Sequence, residues 1–323
     1  GDVYVTTIDF STTKQITCTP ERERCVDFRA DGRAVVYDSE RGGIWSIYES
    51  EIVNDKEAVM TYCTELKERR LTDGVTTSFQ PQYSPDGKKV AYFQNREAIC
   101  VVDLKSGKMH TAMDAKYTYS YSDGDQYFTW SPDGKWLLAN YMGNGGWNNV
   151  DVALIDAEGK DEPGNLTQSG YTDSRPRWVM GGKAMIFASD RAGYRSHGSW
   201  GAHRDVYITF FDDEAYSKFR MNKEDRSLLE ESEKKDKKSE KKDSTEKEKK
   251  VEALELQLDN LDDRTMRLTF QSSHLSDAVM NNEGTRLYYL APHNGNMALW
   301  VRDFVEERTE LKMQRIDARS FQL

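Results

Sequence analysis

No run of about 18 or more apolar residues occurs anywhere in the 323-residue chain, which excludes a membrane-spanning helix. The N-terminus is not a basic stretch followed by an apolar one, so any secretory leader lies outside this segment. Cysteine is scarce: Cys18, Cys25, Cys63 and Cys100 are the only four, and none forms a CxxC pair, which excludes the common zinc and dithiol motifs. Cys100, in an apolar run, reads as a buried free thiol. Cys18 and Cys25 flank a short loop, and spacing alone leaves their bridging open in an oxidising compartment.

The five histidines (His110, His197, His203, His274, His293) include no i, i+4 pair, and there is no HExxH, Walker loop or GxGxxG. The nearest approach to a nucleophile elbow is His197-Gly198-Ser199-Trp200-Gly201, where a histidine stands in the first glycine position that the strained turn needs. The sequence therefore offers no catalytic constellation, no cofactor site and no metal site; His197 and His203 lack a third ligand. The formal net charge is −10, and the charge-rich stretch Lys223 to Lys250 is nearly balanced. The acidity belongs to the rest of the chain, which argues against a nucleic-acid partner.

What is present is a repeat. Trp130-Ser131-Pro132-Asp133-Gly134-Lys135 and Tyr83-Ser84-Pro85-Asp86-Gly87-Lys88 are nearly identical; the turns at Gly32, Gly182 and Gly284 are weaker copies. Proline sets φ, aspartate bonds its own backbone two residues on, and glycine accepts positive φ. Aligned on the glycine, Phe28, Tyr83, Trp130, Trp178 and Met280 lie four places before it, and Val35, Val90, Leu137, Met185 and Leu287 three places after. Each unit is thus a β-hairpin with one buried face. Successive glycines are 55, 47, 48 and 102 residues apart, the last interval containing a large insertion. A period in the high forties built from short strands predicts an all-β fold, a β-propeller of about six four-stranded blades.

Third strands are expected at Gly43 to Glu49, Ala98 to Leu104, Asp151 to Ala157, Asp205 to Phe211 and Ala298 to Phe304. Fourth strands end in Leu-Thr at Leu71-Thr72, Leu166-Thr167 and Leu268-Thr269. Asp2 to Ile8 and Lys14-Gln15-Ile16-Thr17 read as third and fourth strands of a sixth blade, and Ala318 to Leu323 as a strand entering a hairpin. Five blades are complete and a sixth is split across the ends, so residues 1–323 read as one propeller domain and a fragment of a longer protein. The insertion at 221–257, with a core (Glu231 to Lys250) free of aromatic and branched apolar residues, is expected to be a flexible solvated loop, with a lone charged helix as the alternative.

Two connections between second and third strands are unusually long: Tyr141 to Asn149 and Ser189 to Arg204. Strand order places both on one face, opposite the turns, on neighbouring blades. Both mix glycine with tryptophan. This makes Trp147, Asn148, Arg195, His197, Trp200 and His203 a candidate peptide-binding rim. The alternative is that the loops only pack on each other, with the tryptophans filling the gap between blades.

The Ser-Pro-Asp-Gly turns followed by Asp-Val-Tyr strands resemble the WD40-like, TolB-type repeats of TolB, prolyl oligopeptidase relatives and tricorn-type proteases. Ser189-Asp190-Arg191, Arg195 to Gly201, Asp205-Val206-Tyr207, Phe210-Phe211-Asp212 and the insertion ending in Asn260-Leu261-Asp262-Asp263-Arg264 are most similar to the propeller region of tricorn-like proteases of the S41 serine peptidase class. That resemblance implies a non-catalytic propeller in the periplasm or cell envelope, guiding peptide or unfolded polypeptide toward protease and PDZ-like domains outside this segment. It admits a homo-oligomer. The rival expectations are a TolB-like module binding an envelope protein and the propeller of a prolyl-oligopeptidase-type enzyme.

Overall fold

The Ser-Pro-Asp-Gly turns take the form their residues dictate. Gly134 has φ 68°, its N–H donates to the Ser131 carbonyl at 2.9 Å, and Asp133 accepts the Lys135 N–H at 3.2 Å. The serine closes the loop. Its hydroxyl donates to Asp133 at 2.6 Å and accepts the Trp136 N–H at 2.9 Å, and Ser84 does the same with Asp86 and Lys89 at 2.7 and 3.0 Å. The weak copy at Gly182 departs from the pattern: Met180–Gly182 is a 3-10 turn in which all three residues have positive φ.

The structure, a computed structural model, describes residues 1–143, 145–195, 200–240 and 253–321. It contains five four-stranded antiparallel sheets, each a meander in chain order, and an N-terminal two-stranded sheet, Tyr4–Thr6 with Thr13–Gln15. Sheet one is Glu23–Phe28, Ala34–Ser39, Ser46–Ile52 and Leu66–Arg70. Sheet two is Ser78–Tyr83, Lys89–Gln94, Ala98–Asp103 and Met109–Met113. Sheet three is Phe128–Trp130, Trp136–Tyr141, Asp151–Asp156 and Gly164–Asn165. Sheet four is Asp173–Val179, Ala184–Ser189, Asp205–Phe210 and Thr265–Arg267, and sheet five is Asp277–Met280, Arg286–His293, Asn296–Asp303 and Arg308–Met313.

Two expectations shift. The third strand of sheet one starts at Ser46, not Gly43, because Arg41–Gly43 form a 3-10 turn with Gly42 and Gly43 at φ 70° and 79°. The expected C-terminal strand is not formed by residues 318–321, although the Phe321 N–H donates to Asp277 at 3.0 Å. Gln322 and Leu323, the rest of that stretch, lie outside the described residues.

The chain forms two compact units, residues 1–143 with 153–165, and residues 144–152 with 166–323. In the first, Ala34, Val36 and Ile47 of sheet one pack on Val90, Tyr92 and Val102 of sheet two, and Phe93 meets Phe128 edge-on at 5.1 Å. In the second, Ile186, Ile208 and Phe210 of sheet four pack with Met280 and Leu287 of sheet five. Each such buried apolar side chain contributes about 1.5–3 kcal/mol.

Two recurrent polar devices join these elements. A β-bulge interrupts the first strand of sheets one, two and four, placing Cys25, Gln80 and Arg175 at φ 52–53°; such a bulge redirects a side chain. From the bulges, Gln80 and Gln82 donate to the carbonyls of Gln126 and Phe128 at 3.3 and 3.2 Å. Arg175 and Arg177 likewise reach Ser276 and Ala278 at 2.6 and 3.2 Å. The second device explains the Leu-Thr and Ile-Thr endings. The hydroxyls of Thr17, Thr72, Thr167 and Thr269 accept the N–H of Val3, Ile47, Val152 and Val206 at 2.8–3.2 Å. In sheets three and four the same hydroxyl donates to a buried aspartate at the head of the third strand, Asp151 at 3.1 Å and Asp205 at 2.6 Å.

Just before the insertion, Asp213–Phe219 is a helix, α1, capped by Asp212, which accepts the Ala215 N–H at 2.6 Å. The insertion itself is helical rather than a loop up to Glu240, and its residues 241–252 lie outside the described residues. Tyr216 and Phe219 of α1 lie 5.5 and 5.2 Å from Phe210. Lys223–Glu240 is a second helix, α2, started by Asn222, which accepts the Asp225 N–H at 2.9 Å. A cap and a stretch without β-branched residues or proline suffice to make this charged segment helical. The return is pinned as well. Gln257 donates to the Phe211 carbonyl at 2.9 Å, and buried Arg264 donates to the carbonyls of Gln257 and Asp259, both at 2.8 Å. All four cysteines are unpaired thiols.

Candidate functional site

The two long connections meet within the second unit. The Ala184–Ser189 and Asp205–Phe210 strands pair in full register from Ala184 with Phe210 to Ser189 with Asp205, so the residues between them project from one end of sheet four. Asp190, fully buried at the start of this loop, accepts the Thr172 N–H at 2.9 Å and the Arg195 Nε–H at 3.3 Å. Arg195 also donates to Asn149 in the other connection, and its guanidinium lies 5.1 Å from the centre of the Tyr171 ring. The Asn148 carbonyl accepts the Thr172 hydroxyl at 3.2 Å.

Above this frame, the Trp147 and Trp200 rings are 6.2 Å apart at 43°. Their exposures are 45% and 60%, so the contact covers only part of either ring and leaves aromatic surface facing solvent. A pair whose only role was filling a gap would be covered on most sides.

His203 stands at the far end of the loop. Its ring is 4.6 Å from His274, edge-on, and 5.9 Å from Tyr194, while its N–H donates to the Tyr194 carbonyl at 2.8 Å. Gly193 is needed here, since a Cβ would stand 2.1 Å from the His203 carbonyl oxygen. His197 lies outside the described residues. Among the described residues no three His, Cys, Asp or Glu side chains converge as metal ligands would.

The candidate residues thus separate by role. Trp147 and Trp200 form an exposed pair, whereas Arg195 ties Asp190 and Asn149 together. Replacing Arg195 by alanine removes the tie between buried Asp190 and Asn149 and is expected to cost about 2 kcal/mol, measured as a lower urea midpoint. Sequence reasoning missed Tyr171 and His274, which sit outside the two long connections, and within the first connection it named Asn148 where the neighbouring Asn149 is the one that meets Arg195.

No protein-family model matches the sequence. Among solved structures, the chain is similar to TolB from Agrobacterium tumefaciens, with 13% identity over 99% of this chain and 92% of that one and a TM-score of 0.52. TolB from Acinetobacter baumannii matches at 14% identity over 97% of the chain, with a TM-score of 0.52; there the chain spans 59% of the other protein's length. The Cps50 (Swd1) β-propeller domain from Myceliophteria thermophila matches at 10% identity over 99% of this chain and 81% of that one, with a TM-score of 0.53. The fold is a β-propeller. TolB-type and WD40-like propellers share it, and at these identities the likeness concerns the fold alone.

Proposed function

We propose that this propeller is a non-catalytic module of a tricorn-like protease of the periplasm or cell envelope. In this reading it receives peptide or unfolded polypeptide across the Trp147–Trp200 rim and guides it to a protease domain beyond this segment. The observation that carries the reading is the exposed tryptophan pair, built from two separate connections at one end of the second unit. Paired aromatic faces bind extended chains with little sequence selectivity and at low cost in side-chain entropy. The net charge of −10 favours basic segments among them.

Trp200→Ala is expected to weaken binding of a basic fluorescent peptide by about tenfold or more, with the melting temperature nearly unchanged because the ring is mostly exposed. A large fall in melting temperature with unaltered peptide affinity would make the pair a packing element and remove the reading. Added in trans to a protease lacking its propeller, the chain should change which peptides are cut.

The second reading is a TolB-like module that holds a folded envelope protein. The coverage of 92% of the Agrobacterium TolB favours it, because the likeness spans nearly that whole chain. Pull-down of a single folded partner, unaffected by competing unfolded peptide, would select it.

A further inference from the structure

The interface of sheets four and five, inside the second unit, is built like that of sheets two and three, inside the first. Arg175 and Arg177 donate to the Ser276 and Ala278 carbonyls at 2.6 and 3.2 Å, just as Gln80 and Gln82 donate to the Gln126 and Phe128 carbonyls at 3.3 and 3.2 Å. The turn glycines give the same alignment. Ala278 and Phe128 each stand six places before their glycine, and Ala188 and Phe93 each stand six places after theirs. Alternation along the strands sends Ala188, like Ile186, toward sheet five, and Phe93, like Ala91, toward sheet three.

What differs is the filling. Phe93 and Phe128 meet edge-on at 5.1 Å, each 1% exposed, and close the first interface. At the second, two alanines take their places. A cavity of about 190 Å³ lies there, walled by Ile186, Ala188, Val206, Leu275 and Ala278. Ile186 and Val206 are buried, whereas Ala188, Leu275 and Ala278 are half-buried, so the cavity has a dry apolar floor and a mouth that reaches solvent. Protein interiors leave few voids larger than a water molecule, and an apolar cavity of about 150 Å³ takes up benzene. The space is that of one aromatic ring, open here where the other interface fills it with its own side chains.

Its position points to an occupant. Ala188 is the last residue but one of the strand that leads into the connection carrying Trp200, and Arg204, also on the cavity wall, ends that connection. The mouth is therefore at the same end of sheet four as the Trp147–Trp200 pair. We infer that the cavity is a side-chain pocket that takes a phenylalanine of a polypeptide held on that pair. The placing of the polypeptide rests on the proposed rim; the preference for a ring rests on the cavity. The ring lies between Ala188 and Ala278 with Ile186 and Val206 beneath it, and a side chain of this kind buries a large area while fixing only two torsions.

Fluorescence anisotropy of the intact chain tests this with two labelled peptides, each with lysine at its ends and glycine and serine around a single phenylalanine or a single alanine. The phenylalanine peptide should bind about tenfold more tightly. Ala278→Phe, which rebuilds the closed interface, should bring it down to the affinity of the alanine peptide. Ala188→Phe should do the same from the opposite wall and serves if the first variant does not fold. Trp200→Ala should weaken both peptides and keep their ratio. Equal affinities in the wild-type chain overturn the inference and leave the rim reading standing, and so does a preference that survives both filling variants. A wild-type preference with neither peptide weakened by Trp200→Ala removes the rim reading and keeps the pocket. No binding of either peptide overturns both.

Discussion

Asp205→Ala is expected to lower the unfolding free energy by about 3–5 kcal/mol, the usual cost of removing one partner of a buried ion pair. Asp205 is fully buried at the head of a third strand. Its carboxylate accepts the Thr269 and Ser272 hydroxyls, both at 2.6 Å, and pairs with Arg267 at 2.8 Å. Thr269 in turn accepts the Val206 N–H at 3.2 Å. Alanine therefore strands two buried hydroxyl donors, takes from Arg267 its carboxylate while leaving it the Phe270 carbonyl and the Ser272 hydroxyl, and loosens the hydroxyl that holds the strand's first amide. Asp205→Asn keeps an acceptor but loses the charge, and should cost less than half as much. Urea denaturation of the two variants checks the order. If Asp205→Ala shifted the midpoint no more than Asp205→Asn, the bracket would be dispensable and the Leu-Thr endings would need another explanation.

The second large effect is a pH dependence. The Asp38 carboxyl is raised from 3.8 to about 6, chiefly because burial disfavours its charge; the Gln80 N–H at 3.1 Å and Arg24 at 3.3 Å oppose the shift without cancelling it. Because the folded pKa lies above the unfolded one, the folded state holds this proton more tightly. Stability from this group is therefore greatest below about pH 4, falls as pH rises toward about 6, and is level above that. The full difference corresponds to about 3 kcal/mol. The groups around the carboxylate are Arg24, the Cys25 thiol and, through Arg24, Asp123. Asp38→Asn should flatten the stability profile between pH 4 and 6 relative to wild type. Parallel profiles for the two proteins would show that Arg24 already holds Asp38 ionised and that burial does not dominate.

The repeat was legible because its parts are local. A Pro-Asp-Gly turn writes its conformation into four consecutive letters, and the apolar residues at fixed offsets report which side of each strand is buried. The Leu-Thr endings were visible too, but their purpose was not, since Thr269 acts on Asp205 and Val206 more than sixty positions away. The helices were harder for the opposite reason. A charged helix was open as an alternative at α2, but low hydrophobicity gave no pattern to decide it and its start depends on the single cap at Asn222; α1 was missed, being short enough that Asp212, Tyr216 and Phe219 look like the tail of a strand. At the candidate site the tryptophans and Arg195 were legible from composition, but the role of Arg195 was not, since its partners Asp190 and Asn149 lie on different connections.

The bulge that sets Cys25, Gln80 and Arg175 at positive φ has a consequence for how such a protein can change. The shape at that point comes from the strand slipping one residue against its neighbour, so the identity of the displaced side chain is a spare degree of freedom. Three sheets hold a thiol, an amide and a guanidinium in the same socket. A lineage could therefore change the chemistry presented at one sheet's bulge by a single codon, leaving every ladder of the fold where it was.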